Sequence, residues 1–248
     1  MAWFWQQRHP GVDIDPLLWR QSAAGLSWLR HADDARTARL RELVSLFLAT
    51  KAITPLHGLA LNEVQRLRLA MLCCMPLLEF GREGLHGWSQ LLVYPAAFRV
   101  QRSHQDAHGV FHEGAEDLIG EAWDQGPVIL SWADVRADIA SPREGFCVVA
   151  HEIAHKLDAL DGVLDGTPPL PRDWQRAWAR DFQLAYEGLC REVDAGRETA
   201  IDAYAAASPE EFFSVCSECH FSDAGPLRRA MPEVAAHLQR FYGPALLD

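Results

Sequence analysis

The stretch Val148-Val149-Ala150-His151-Glu152-Ile153-Ala154-His155-Lys156-Leu157-Asp158 decides how this chain is read. His151 and His155 stand at i and i+4, which on a helix puts them on one face with Cβ atoms about 5–6 Å apart. Two imidazoles so placed reach a single Zn²⁺ ion, and Glu152 then lies beside the activated water as a general base. The apolar run Phe146-Cys147-Val148-Val149-Ala150 leads into the motif. A helix with such an apolar first half is expected to seat the ion at the base of a buried cleft.

A catalytic zinc site takes three protein ligands and keeps a fourth position open. Ser208-Pro209-Glu210-Glu211-Phe212-Phe213 offers the third. Ser208 reads as an N-cap and Pro209 as the first helical residue, so both glutamates fall in the first turn of a second helix. Spacing alone leaves Glu210 and Glu211 open. Ser208 with Glu211 also spells a capping box, which would use the Glu211 carboxylate on a backbone N–H. Asp158, three residues beyond His155, shares its helical face and is a candidate to orient an imidazole from behind. An acid so near a helix C-terminus opposes the macrodipole.

With these residues in view, the chain resembles the Mlc titration factor A family of bacterial zinc peptidases. Residues 148–158 look like that family's active-site helix. Ile201-Asp202-Ala203-Tyr204-Ala205-Ala206 and Pro209-Glu210-Glu211-Phe212-Phe213-Ser214-Val215-Cys216-Ser217-Glu218 look like its third-ligand segment. Gly126-Pro127-Val128-Ile129-Leu130-Ser131-Trp132 and Leu92-Val93-Tyr94-Pro95 match upstream landmarks. The resemblance implies an α+β, zincin-like metallopeptidase core. It implies His151, His155 and Glu211 as zinc ligands and Glu152 as the catalytic base. It favours Glu211 over Glu210, because the ligand directly precedes the paired Phe212 and Phe213.

The resemblance also places Tyr204 near the metal, where its hydroxyl stabilises the oxyanion of the tetrahedral intermediate. The spacing from Tyr204 to Glu211 is similar to that in the catalytic domain of anthrax lethal factor. Read from the residues alone, Tyr204 is instead a ring packed at a loop–helix junction. Aminopeptidase-like hydrolysis of peptides follows by resemblance, with Glu152 moving the proton from water to the departing amine and no covalent acyl-enzyme. So does binding to Mlc, a glucose-responsive repressor of phosphotransferase genes. A protein-binding antagonist with little proteolysis is the alternative function.

Two other patterns mimic metal or cofactor sites. Cys216-Ser217-Glu218-Cys219-His220 spells the C-x-x-C-H signature of covalent haem, but on a helix both thiols face one way as small apolar residues. His104, His108 and His112 recur every four residues, yet Gly109 and Val110-Phe111 predict a turn entering a strand, which would scatter them.

With 248 residues and 49% hydrophobic content, the chain is long enough to bury a sizeable core. A net charge of -11 argues against nucleic acid or an anionic membrane as partner. The richest apolar run, residues 69–78, is broken by Pro76 and falls short of a membrane span. Met1-Ala2-Trp3-Phe4-Trp5 is too brief for a signal-peptide core, so a cytoplasmic location is expected. Helices are expected over residues 40–48, 61–78, 148–160, 172–191 and 232–242. Short strands of a small mixed sheet are expected at 91–94, 110–112 and 128–132. An N-terminal helical region, 1–85, would pack on a catalytic region, 86–248.

Overall fold

Helices form where apolar residues recur at helical spacing. The computed structural model describes residues 11–30, 32–96, 98–105, 111–118, 126–142 and 145–245, with 98–105 and 111–118 described as backbone. After the short α1 (Pro16–Ala23), α2 (Asp34–Thr50) buries Leu40, Leu43, Val44 and Phe47 on one stripe. Its first turn is capped by Asp33, which accepts the Arg36 N–H at 2.7 Å. α3 (Glu63–Cys74) opens on a complete capping box between Asn62 and Gln65. It ends earlier than expected, because Pro76 has no N–H to continue the ladder and sits in a 3₁₀ turn, Met75–Leu77.

Strand β1 (Ala52–Pro55) pairs in parallel with β2 (Gln90–Tyr94). A separate antiparallel hairpin follows, formed by β3 (Phe98–Gln105) and β4 (Phe111–Leu118). β5 (Val128–Ser131) then returns to pair in parallel with β2, giving the order β1-β2-β5 and leaving β5 at an edge. The anticipated mixed sheet is therefore a wholly parallel sheet plus a detached hairpin. The long connection through α3 carries the chain back to start β2 in the same direction as β1, whereas the short link after β3 permits only antiparallel pairing. Two of the three histidines are brought together in the hairpin, where His104 stands directly opposite His112 in the register. His108 lies outside the described residues. β1 and β2 bond across the boundary expected near residue 85, and one hydrophobic core joins Phe47 and Met71 to Ile153 and Phe213.

Beyond the sheet, the chain continues through α4 (Trp132–Ala140), α5 (Val148–Asp158), α6 (Arg172–Asp194), α7 (Pro209–Phe221), α8 (Ala224–Ala230) and α9 (Pro232–Tyr242). Trp178, wholly buried on α6, stacks on Phe182 at 4.0 Å and meets Phe213 of α7 and Phe241 of α9 edge-on. Burying an indole of roughly 200 Å² contributes on the order of 5 kcal/mol, so this cluster fixes α7 against its neighbours. Cys216 and Cys219 are buried in α7, where burial pushes the Cys219 thiol up to about 12. No described helix is long and apolar enough to cross a membrane.

Candidate metal centre

The site lies where α5 packs against α7. α7 is buried along its length from Phe212 to Phe221. A helix so enclosed is ordinarily apolar all round, yet Glu211, Ser214 and Glu218 recur at i, i+3 and i+7 on one of its faces. Buried polar groups need partners, and both histidines of α5 supply them. Ser208 caps the helix by accepting the Glu211 N–H at 3.4 Å. The other half of the anticipated capping box is not formed: the Glu211 carboxylate turns to the imidazoles instead of the backbone.

His151 Nε2 lies 3.1 Å from His155 Nε2 and 3.1 Å from Glu211 Oε2, and His155 Nε2 lies 3.5 Å from the same oxygen. The remaining ring nitrogens face other partners. His151 Nδ1 is 2.7 Å from Glu218 Oε1, and His155 Nδ1 is 3.1 Å from Ser214 Oγ. With both Nδ1 atoms occupied, two Nε2 lone pairs and a carboxylate oxygen are left to share one point. Glu211 Oε2 is buried without a well-formed hydrogen bond. Donors bound at about 2.0–2.1 Å to a tetrahedral ion stand roughly 3.3 Å apart, which is the spacing observed. The donor set fits a divalent transition-metal ion.

Electrostatics agree with this geometry. Burial would lower the His151 pKa, but the carboxylates of Glu211 and Glu218 outweigh it and hold the metal-free imidazole up to about 10. The Glu211 carboxyl is partly buried, yet the two histidines keep it well below the usual carboxylate range. A cation at this position is therefore already favoured. Glu152 follows His151 on the same helix, within electrostatic reach of His151, His155 and Glu211; it is 1% exposed, and among the described residues its Oε2 accepts no hydrogen bond. Burial raises its pKa, the direction that suits a group receiving a proton near neutrality.

Each residue expected at the site can now be placed. His151, His155 and Glu211 converge, and Glu210 lies outside their cluster. Tyr204 sits on a 3₁₀ turn, Ala203–Ala206, its ring centroid 6.4 Å from that of His151. At 56% exposed it is not packed into a loop–helix junction. Asp158 does not orient an imidazole through a hydrogen bond. Its Oδ2 accepts the Gly166 N–H at 2.7 Å and pins the loop after α5, while Ser214 takes the place expected beside His155. Ser214 and Glu218 were missed from sequence, although their place at i+3 and i+7 from Glu211, on one helical face, was the available signal.

Residues 2–243 match the family described as Glucose-regulated metallo-peptidase M90. The chain belongs to that family. It is 37% identical to Mlc titration factor A of Serratia proteamaculans, over 98% of this chain and 92% of that one. The proteins of the same name from Escherichia fergusonii and Cronobacter sakazakii are 36% and 35% identical, each over 98% of this chain and 91% of theirs. The chain is thus a metallopeptidase-family protein whose His151, His155 and Glu211 are grouped closely enough to hold one metal ion.

Proposed function

We propose that this metallopeptidase is a zinc-dependent, zincin-like enzyme that hydrolyses peptide bonds with an aminopeptidase-like preference. The convergence of His151, His155 and Glu211 beside the buried, unpartnered Oε2 of Glu152 carries this reading. Two imidazoles and one carboxylate at tetrahedral spacing suit Zn²⁺ among the biological divalent ions. Bound zinc supplies Lewis acidity, lowering the pKa of a water toward neutrality and polarising a carbonyl. Glu152 takes the proton of the attacking water and returns it to the departing amine. Tyr204 donates its hydroxyl to the substrate oxygen as charge develops there. The place of β5 at an edge of the three-stranded sheet suits addition of an extended peptide as a further strand. The aminopeptidase-like preference rests on the family resemblance.

The relatives' name supports a second role, binding of a partner called Mlc, by this chain as well. The net charge of -11 opposes nucleic acid and anionic membranes as partners, and a cytoplasmic location accords with both roles. Glu152→Gln separates them. The variant should retain zinc and partner binding while hydrolysis of amino-acid anilides and short peptides disappears. Undiminished hydrolysis would remove Glu152 from the chemistry. Absence of hydrolysis by the parent across such a panel, with Mlc bound, would leave the binding role alone.

A further inference from the structure

Helix α5 starts without a cap of its own. Cys147 occupies the N-cap position and makes no side-chain cap hydrogen bond. The first backbone N–H groups are instead satisfied from other elements. Glu218 Oε2 accepts from Cys147 N at 2.9 Å, and Asp138 Oδ2 accepts from Val148 N at 2.8 Å. The same Glu218 carboxylate holds His151 Nδ1 at 2.7 Å through its other oxygen. Both oxygens are thus committed as acceptors, one to the frame of the helix and one to a side chain that helix carries.

We infer that Glu218 is a positioning residue that clamps His151 to the start of α5, fixing at once the tautomer and the direction of its Nε2 lone pair. Once the ring is neutral, as a metal ligand must be, donation from Nδ1 leaves Nε2 unprotonated and free to bind the ion. Because the second oxygen grips the helix itself, ring and backbone cannot rotate independently. His155 has a weaker version of this support, since the Ser214 hydroxyl is able to donate or accept.

Glutamine at 218 cannot serve both partners. With its oxygen on His151, its amide N–H₂ faces the Cys147 N–H, donor against donor. With its oxygen on Cys147, its N–H₂ faces Nδ1 and selects the tautomer that carries hydrogen on Nε2. Either arrangement loses one function at nearly unchanged volume.

The inference rests on the metal-site reading, and its test keeps the two apart. Zinc affinity is measured by competition with a chromophoric chelator for the parent, Glu218→Gln and Asp138→Ala. The parent should bind one ion tightly, and Glu218→Gln should bind about 10–100-fold more weakly. Asp138→Ala removes the other borrowed cap without touching an imidazole, so it should melt earlier yet bind zinc within about threefold of the parent. Parent-like affinity in Glu218→Gln overturns the inference. Failure of the parent itself to bind zinc overturns the metal reading beneath it. Should Glu218→Gln not fold, ¹⁵N spectra of the zinc-loaded parent decide. A slowly exchanging proton on His151 Nδ1 supports the clamp, and coordination through Nδ1 overturns it.

Discussion

Glu211 Oε2 stands 3.1 Å from His151 Nε2, although the two residues belong to different helices distant in sequence. The contact depends on where α7 begins. Ser208 and Pro209 set the first turn, and successive residues of a helix are rotated by about 100°. A start displaced by one residue would turn Glu211 away and bring Glu210 round.

Tyr204 separates transition-state stabilisation from packing. Its exposed ring lies beside His151, so Tyr204→Phe should keep the fold and the metal. Loss of one oxyanion donor lowers kcat by about 10²–10³ with KM little changed. Steady-state kinetics on a peptide substrate check this. Turnover within a few-fold of the parent would leave the hydroxyl without a catalytic role.

Asp158 gives the fold a pH dependence with a definite sign. Burial, opposed by the Gly166 N–H, raises its carboxyl from 3.8 to about 7. The unfolded chain releases this proton near pH 4 and the folded chain near pH 7. Between those values the folded state holds the extra proton, so the contribution of Asp158 is full below pH 4 and is lost as pH rises through 7. Asp158→Asn should flatten stability against pH in that window by up to about 1.4 kcal/mol per pH unit. Denaturation curves at several pH values measure the slope, and an unchanged slope would contradict the assignment.

Gly166 joins three helices at one point. Its N–H is held by Asp158 of α5, its carbonyl accepts from Trp178 Nε1 of α6 at 3.1 Å, and it abuts Pro209 of α7. Its φ is +80°, and a Cβ there would lie 2.4 Å from the Pro209 carbonyl oxygen. Gly166→Ala should cost about 2–4 kcal/mol and weaken metal binding, because the displaced residue opens the helix that carries Glu211. Chemical denaturation and chelator competition report the two effects. Parent-like values in both would show that α7 tolerates the shift.

Much of this site was legible in the sequence because its parts obey local rules. The i, i+4 pair His151 and His155 needs only a helix to meet. Ser208 and Pro209 announce the helix that brings Glu211, though the choice over Glu210 came from family resemblance rather than spacing. What escaped was set by packing between elements. Glu218 and Ser214 gain meaning only when α7 is known to face α5, and Asp158 turned to a loop whose path the sequence does not specify. Likewise β1 and β3 were not anticipated. β1 is four residues long and ends on Pro55, too brief for a clear alternation. The residues of β3 read Phe-Arg-Val-Gln-Arg-Ser-His-Gln, apolar only at the start.

The central claim is that His151, His155 and Glu211 hold one metal ion together. Zinc per chain, measured by elemental analysis of purified protein after dialysis, tests it most directly. The parent should carry about one Zn²⁺, and His151→Ala, His155→Ala and Glu211→Ala should each lose it. Glu210→Ala should keep the ion and give up only a helix-terminus contribution of about 0.3–1 kcal/mol. Full zinc retention in His151→Ala and His155→Ala, or loss of zinc in Glu210→Ala with retention in Glu211→Ala, would contradict the assignment.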